Sequence, residues 1–307
     1  MRFLWIIPAL FLLAACSGQD QNNSLKDPWI GGTDGVLISF EENAPQPEVF
    51  DGGDYPFGVV VKLKNEGEYD VPKENVKVTI SGILASEFGK TEASLIKRPD
   101  ENILPKRKDA EGRVEDSDPV FVDFGDFTFN SSLVAQQPYT FRAEACYTYQ
   151  TTANSVVCIL EDNLDEAGLC KVSEQKQIFN SGAPLQIINF IESSRGKDKI
   201  AFTFTIQHKG NGRIYQQLSG CNSTTRNFED IVWVEVDTGI SGAIECSGLR
   251  EGTSSSGYVR LFSDNKPITC AQTVNTNSDY QKPVVIRMKY DYQDNKETTV
   301  LVKHIPK

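Results

Sequence analysis

Phe57-Gly58-Val59-Val60-Val61-Lys62-Leu63-Lys64-Asn65-Glu66-Gly67 is the stretch that decides the fold. Phe57, Val59, Val61 and Leu63 fall on one face of an extended chain, and Lys62 and Lys64 fall on the other. Period-two alternation that runs into Asn-x-Gly describes a half-buried strand entering a turn. The pattern recurs in the second half. Phe202, Phe204, Ile206, His208 and Gly210 stand 143 residues after Val59, Val61, Leu63, Asn65 and Gly67. A similar strand precedes each copy, Val36 to Phe40 in one case and Leu185 to Phe190 in the other. The spacing predicts an internal repeat.

Working outward, Val76, Val78 and Ile80 alternate with Lys77 and Thr79, and strand pattern resumes at Val120-Phe121-Val122 and Phe127-Thr128-Phe129. Tyr139 to Leu160 reads as a hairpin turning at Gln150-Thr151-Thr152-Ala153-Asn154, followed by a short helix between Leu164 and Gln177. Asn180-Ser181-Gly182-Ala183-Pro184 reads as a linker. Later strands are expected at Ile231 to Val236, Tyr258 to Phe262, Pro283 to Tyr292 and Thr298 to His304. Ser86 to Pro119 is charged, holds Pro99 and Pro105 and lacks periodicity, so a long surface excursion is expected there, with a binding loop as its functional alternative. No stretch carries a 12-residue amphipathic helix, which argues against parallel βαβ folds. The expected fold is all-β: two tandem β-sandwiches, residues 33–181 with the insertion 86–119, and residues 182–307.

The first residues set the address. Met1-Arg2, an apolar run from Phe3 to Leu13 and the small-residue exit Ala14-Ala15 make a secretory signal peptide over residues 1–15. The run is shorter than the roughly 20 apolar residues that span a bilayer. Leu13-Ala14-Ala15-Cys16 resembles the lipobox of prokaryotic lipoproteins, and the resemblance implies that Cys16 becomes the lipid-bearing N-terminus. An ordinary leader with a chance cysteine is the alternative. Within residues 16–32, Ser17 to Asn23 is Gly, Ser, Gln, Asn and Asp and reads as a flexible tether, with Asp27-Pro28-Trp29-Ile30 as its end tucked onto the first domain. The net charge of −11 argues against nucleic acid and against electrostatic adhesion to anionic lipid.

Six further cysteines, Cys146, Cys158, Cys170, Cys221, Cys246 and Cys270, form an even set in an exported chain and read as disulfides. Zinc is the competing reading, but no Cys-x2-Cys pair is present. Three of the six precede the expected linker and three follow it. Complete pairing therefore requires one or three bonds to cross. The pairs Cys146–Cys158, Cys246–Cys270 and Cys170–Cys221 fit the hairpin, the Gly/Ser-rich loop and that parity.

The alternating strand followed by Asn-x-Gly or Lys209-Gly210-Asn211-Gly212 resembles the immunoglobulin-like modules of prokaryotic surface proteins, in particular the adhesion-related group called CARDB. Together with the lipobox, the run Thr140-Phe141-Arg142-Ala143-Glu144-Ala145-Cys146-Tyr147-Thr148-Tyr149 and Val157-Cys158-Ile159 resemble uncharacterised archaeal surface lipoproteins. The resemblance implies immunoglobulin-like sandwiches and carries over no established activity. The antibody-type Cys–Trp–Cys spacing around Trp233 is absent.

Chemistry is sparse. His208 and His304 have no adjacent nucleophile motif, and Gly252-Thr253-Ser254-Ser255-Ser256-Gly257 lacks the spacing of a nucleophile elbow. Phosphate-loop, dinucleotide and His-Glu-x-x-His motifs are also missing. Asp51 with Asp54, and Glu115, Asp116 and Asp118 with Asp123 and Asp126, are the acidic clusters that could hold Ca²⁺ or a glycosidase carboxylate pair, against a solvated acidic edge. Asn22, Asn130 and Asn222 each open an Asn-x-Ser/Thr sequon and are candidate glycan sites. The expected role is non-catalytic: a membrane-anchored structural or adhesive module that meets other envelope proteins or glycans. A carbohydrate- or ligand-binding lipoprotein is the second expectation and an enzyme the third.

Overall fold

A computed structural model describes residues 26–165 and 168–305, so Cys16, Asn22 and the leader lie outside the described residues. The expected alternation becomes strands. In the first half these are β1 (Val36–Phe40), β2 (Glu48–Phe50), β3 (Phe57–Asn65), β4 (Val76–Ser81), β5 (Ile96–Lys97), β6 (Arg107–Lys108), β7 (Val114–Glu115), β8 (Val120–Phe127) and β9 (Gln137–Ile159). The short β10 (Glu174–Gln175) and β11 (Phe179–Asn180) follow. In the second half come β12 (Leu185–Ser194), β13 (Lys199–His208), β14 (Arg213–Tyr215), β15 (Ile231–Asp237), β16 (Ile244–Cys246), β17 (Ser256–Arg260), β18 (Asn265–Thr273) and β19 (Tyr280–Lys303). Only single-turn 3₁₀ helices interrupt them among the described residues. The fold is all-β.

Three sheets carry the core. One is β1-β3-β8, and a second is β10-β12-β13-β18-β16. The third runs β17-β15-β19-β9-β4-β5, with β2, β11 and β14 added at its margins. Its spine is the antiparallel pair β9–β19, continuous from Gln137↔Val302 to Ile159↔Tyr280. A strand of 23 residues extends roughly 75 Å at about 3.3 Å per residue. The expected hairpin over 139–160 is therefore one strand. Alternation never breaks across Gln150 to Asn154, and Thr151 and Ala153 face inward and are fully buried. Thr151 can face inward because its hydroxyl bonds the Leu185 carbonyl at 3.0 Å and lies 3.0 Å from the Tyr290 hydroxyl.

The two smaller sheets cover one face of the large sheet. Odd residues of β9 and even residues of β19 share that face by register. Tyr147 and Tyr149 reach β1 and β3, whereas Tyr290 lies beside Leu185 of β12 and Tyr292 beside His208 of β13. Buried side chains from both halves share one large cluster, and Cys146, Tyr215 and Cys221 form a small second one. Residues 180–184, expected as a linker, are packed inside: Ser181 and Ala183 are buried, and Phe179 and Asn180 pair with Asn154 and Ala153 of β9. No helix forms among the described residues of 164–177. The 86–119 excursion is fastened rather than free. Phe88, Leu95 and Ile103 are fully buried, and Glu66 and Asp116 pair with both Lys64 and Lys106.

The repeat holds residue by residue. Val59 and Phe202 are both completely buried. Asn65 Oδ1 accepts from the Tyr149 hydroxyl at 3.1 Å, and 143 residues later His208 Nε2 lies 3.2 Å from the Tyr292 hydroxyl. Gly67 and Gly210 are the matching glycines. A Cβ at either would collide with the hydroxyl of Tyr149 or Tyr292, respectively. Tyr147-Thr148-Tyr149 and Tyr290-Asp291-Tyr292 share the same offset and lie side by side in the spine. The Thr148–Asp291 pair at its middle is bonded at 2.7 Å. Burial holds the phenols of Tyr149 and Tyr292 above their usual range, so these hydroxyls remain neutral.

Candidate functional site

The six cysteines form three disulfides: Cys146–Cys221, Cys158–Cys170 and Cys246–Cys270. The Cys246–Cys270 pair is the expected one and links facing residues of β16 and β18. The pairs Cys146–Cys158 and Cys170–Cys221 do not form. Their premise was the hairpin, and on a straight strand Cys146 and Cys158 are twelve positions apart, far beyond the reach of an S–S bond. One bond, Cys146–Cys221, joins a residue before 181 to one after it, as the parity required. It anchors the 216–221 loop above Asp291, whose buried carboxylate accepts from Thr148, Leu218 N–H, Ser219 and Gly220 N–H. Cys146, Cys221 and Asp291 are the only metal-compatible trio among the described residues, and the disulfide occupies both sulfurs. Disulfides of this number are those of a chain that folds in an oxidising compartment outside the cytoplasm.

The other candidates scatter. Asp51 is buried, and its carboxylate is taken up by His304 Nδ1 at 2.8 Å and by the amides of Leu133 and Ile305. The His304 hydrogen bond, helped by the Leu133 amide, holds Asp51 down to about 2. Asp54 is exposed and stands apart from this network. Asp116 is spent on Lys64 and Lys106, and Asp123 caps the Gly125 amide in a β-bulge. Glu115, Asp118 and Asp126 are exposed. His208 lies between Tyr292 and Asp264, and burial lowers its pKa. Gly252 to Gly257 forms a turn closed by Thr253 and Ser256. Asn130 and Asn222 are exposed, and Asn222 Oδ1 accepts from the Thr224 hydroxyl of its own sequon.

One buried ionic cluster gave no signal in the sequence. Glu192 of β12 is fully enclosed, accepts the Cys158 amide with both oxygens at 3.0 Å, and meets Lys176 Nζ at 3.3 Å. Burial pushes its carboxyl up to about 7 against the opposing pull of the Cys158 amide and Lys176. The cluster ties β12 to the Cys158–Cys170 bridge and has no opening toward solvent at Glu192, so its role is packing.

The site best built for contact is a groove of about 430 Å³ beside β17, whose outer edge is bridged at Tyr258 by the Arg250 backbone. Its floor comes from β17, where Tyr258 faces Trp233 of β15 with ring centroids 4.8 Å apart in an edge-to-face contact. One wall is the turn Phe262-Ser263-Asp264-Asn265 leading into β18. Ser263 and Asp264 hold φ of 48° and 64°, which closes the tight turn and leaves Phe262 67% exposed. Lys266 Nζ lies 6.0 Å from the Phe262 ring centre. The lining also holds Arg250, which adjoins Tyr258 through its backbone bridge, and Glu251, in the left-handed region at φ 56°. Arg260 closes the end by donating to the carbonyls of Arg226, Asn227 and Glu229. Among the described residues, neither Arg250 nor Lys266 has an acidic partner. No single stretch encodes the groove, because its residues come from 216–231 and 248–266.

No known protein family matches the sequence, and no curated protein matches it. Among solved structures, the envelope protein VP37 of White Spot Syndrome Virus is similar over 47% of this chain and 97% of its own, at 11% identity and a TM-score of 0.26.

Proposed function

We propose that the chain is an extracytoplasmic, lipid-anchored module that works by contact rather than by turnover, as a structural or adhesive component of an envelope. The observation that carries this reading is the cross-tied body: one 23-residue strand paired along its length and a disulfide between the halves. Such a body resists hinging and presents its edges at fixed positions. The lipobox-like Leu13-Ala14-Ala15-Cys16 supports the anchor, and the resemblance to CARDB-type surface modules supports the adhesive role. Both histidines are engaged in hydrogen bonds that fix the fold, which favours contact over proton transfer. The exposed groove beside β17 favours a glycan or other ligand as one thing contacted. The test is retention of the full-length chain, reconstituted in lipid vesicles, on isolated envelope material. Saturable retention is expected, and vesicles that wash through as protein-free vesicles do would refute the role.

A further inference from the structure

The groove beside β17 combines three chemistries that few ligands use together. Tyr258, Phe228 and Phe262 bring aromatic side chains to the lining, and Phe262 keeps most of its surface in solvent. Arg250 and Lys266 are cations without acidic partners in a chain of net charge −11. Glu251 adds one carboxylate to the lining. A bare inorganic anion would be repelled by Glu251 and would leave the aromatic surface unused. A neutral sugar would leave two cations without a counter-charge. Duplex nucleic acid carries one charge per about 1.7 Å of its axis, a denser array than two unpaired cations can meet on a chain of net charge −11.

We propose that this groove binds an acidic polysaccharide, with sugar rings that carry carboxylate or sulfate groups. An apolar sugar face lies on Phe262 and Tyr258, the acidic substituent meets Arg250 and Lys266, and Glu251 accepts from ring hydroxyls. Arginine suits this task because its planar fork matches a carboxylate or sulfate, and an unpaired one costs no existing ion pair to recruit. The volume of about 430 Å³ lies within the range of ligand pockets. The net charge of −11 opposes an anionic polymer over the rest of the surface, which restricts its contact to the neighbourhood of Arg250 and Lys266. The proposal rests on the contact role stated above and names what is contacted.

The experiment uses the full-length chain in detergent on surfaces bearing polygalacturonate, dextran sulfate or neutral dextran. Binding to at least one anionic polymer is expected to exceed binding to dextran about tenfold and to weaken with added salt, because exposed charges are screened. The carboxylate and sulfate arms identify which acidic group is read. The double variant Arg250→Ala/Lys266→Ala should lose about tenfold in affinity, and Phe262→Ala several-fold, with both retaining the parent's unfolding midpoint. Arg113→Ala, on the exposed β6–β7 hairpin, should bind as the parent does. Equal binding to dextran, or anion binding that Arg250→Ala/Lys266→Ala leaves intact, would overturn the proposal. Retention on envelope material without preference for either anionic polymer would refute the groove assignment alone and leave the contact role standing.

Discussion

Removing the crossing disulfide should destabilise the protein more than removing the local one, and chiefly through the unfolded chain. Cys146–Cys221 spans 75 residues and Cys158–Cys170 spans 12. Loop-closure entropy assigns about 4.5 kcal/mol to the first and about 3 kcal/mol to the second at 25 °C. All four sulfurs are in buried or half-buried residues, so replacement by alanine removes comparable packing in each pair. The native 216–221 loop should survive the loss of its bridge. Asp291 still holds it through Leu218, Ser219 and Gly220. Urea unfolding of Cys146→Ala/Cys221→Ala and Cys158→Ala/Cys170→Ala, followed by tryptophan fluorescence, measures both costs. The crossing variant should lose about 1.5 kcal/mol more than the local one. Its denaturant dependence should also steepen, because an uncrosslinked unfolded chain exposes more surface. A crossing variant that costs no more than the local one would refute the reasoning.

Other consequences follow from single buried groups. Glu192 binds its proton more tightly in the fold, at about 7, than in the unfolded chain at 4.5. Its contribution is therefore fully present below 4.5 and is lost as pH rises through 7. Stability should fall by about 3 kcal/mol across that window, and Glu192→Gln should flatten the dependence in a pH series of unfolding curves. Gly67→Ala and Gly210→Ala should each cost about 1–3 kcal/mol by overpacking the tyrosine hydroxyls. Gly58→Ala, with open space around it, should unfold near the parent's midpoint.

The strands and the repeat were legible because burial imposes a period of two on every half-exposed strand. Val59 and Phe202 announced themselves in that way, and so did Asn65 and His208 at the strand ends. The same offset relates Tyr147-Thr148-Tyr149 to Tyr290-Asp291-Tyr292, a sequence signal that would have located the spine. The long β9 strand was misread because Gln150 to Asn154 has the polar composition of a turn. It lacks the glycine or proline that a turn would use, and its inward positions are Thr151, whose hydroxyl two hydrogen bonds satisfy, and the small Ala153. The disulfide parity was sound because it depends only on counting, whereas two of the pairings failed with the hairpin. The linker misled because Ser181, Gly182 and Ala183 are small for a different reason: the chain passes there through a packed seam, and Gly182 lies against Gly31 and Gly67. The groove could not be read from one stretch, since β-sheet pairing brings its lining together from two separate segments.

The central claim is that this chain holds its target without altering it. The direct measurement incubates the full-length native chain with isolated envelope material and follows two quantities together, bound chain and soluble fragments released. The account predicts saturable binding and a fragment level equal to that of material incubated alone. Release of fragments that grows with time and with the amount of added chain would contradict it.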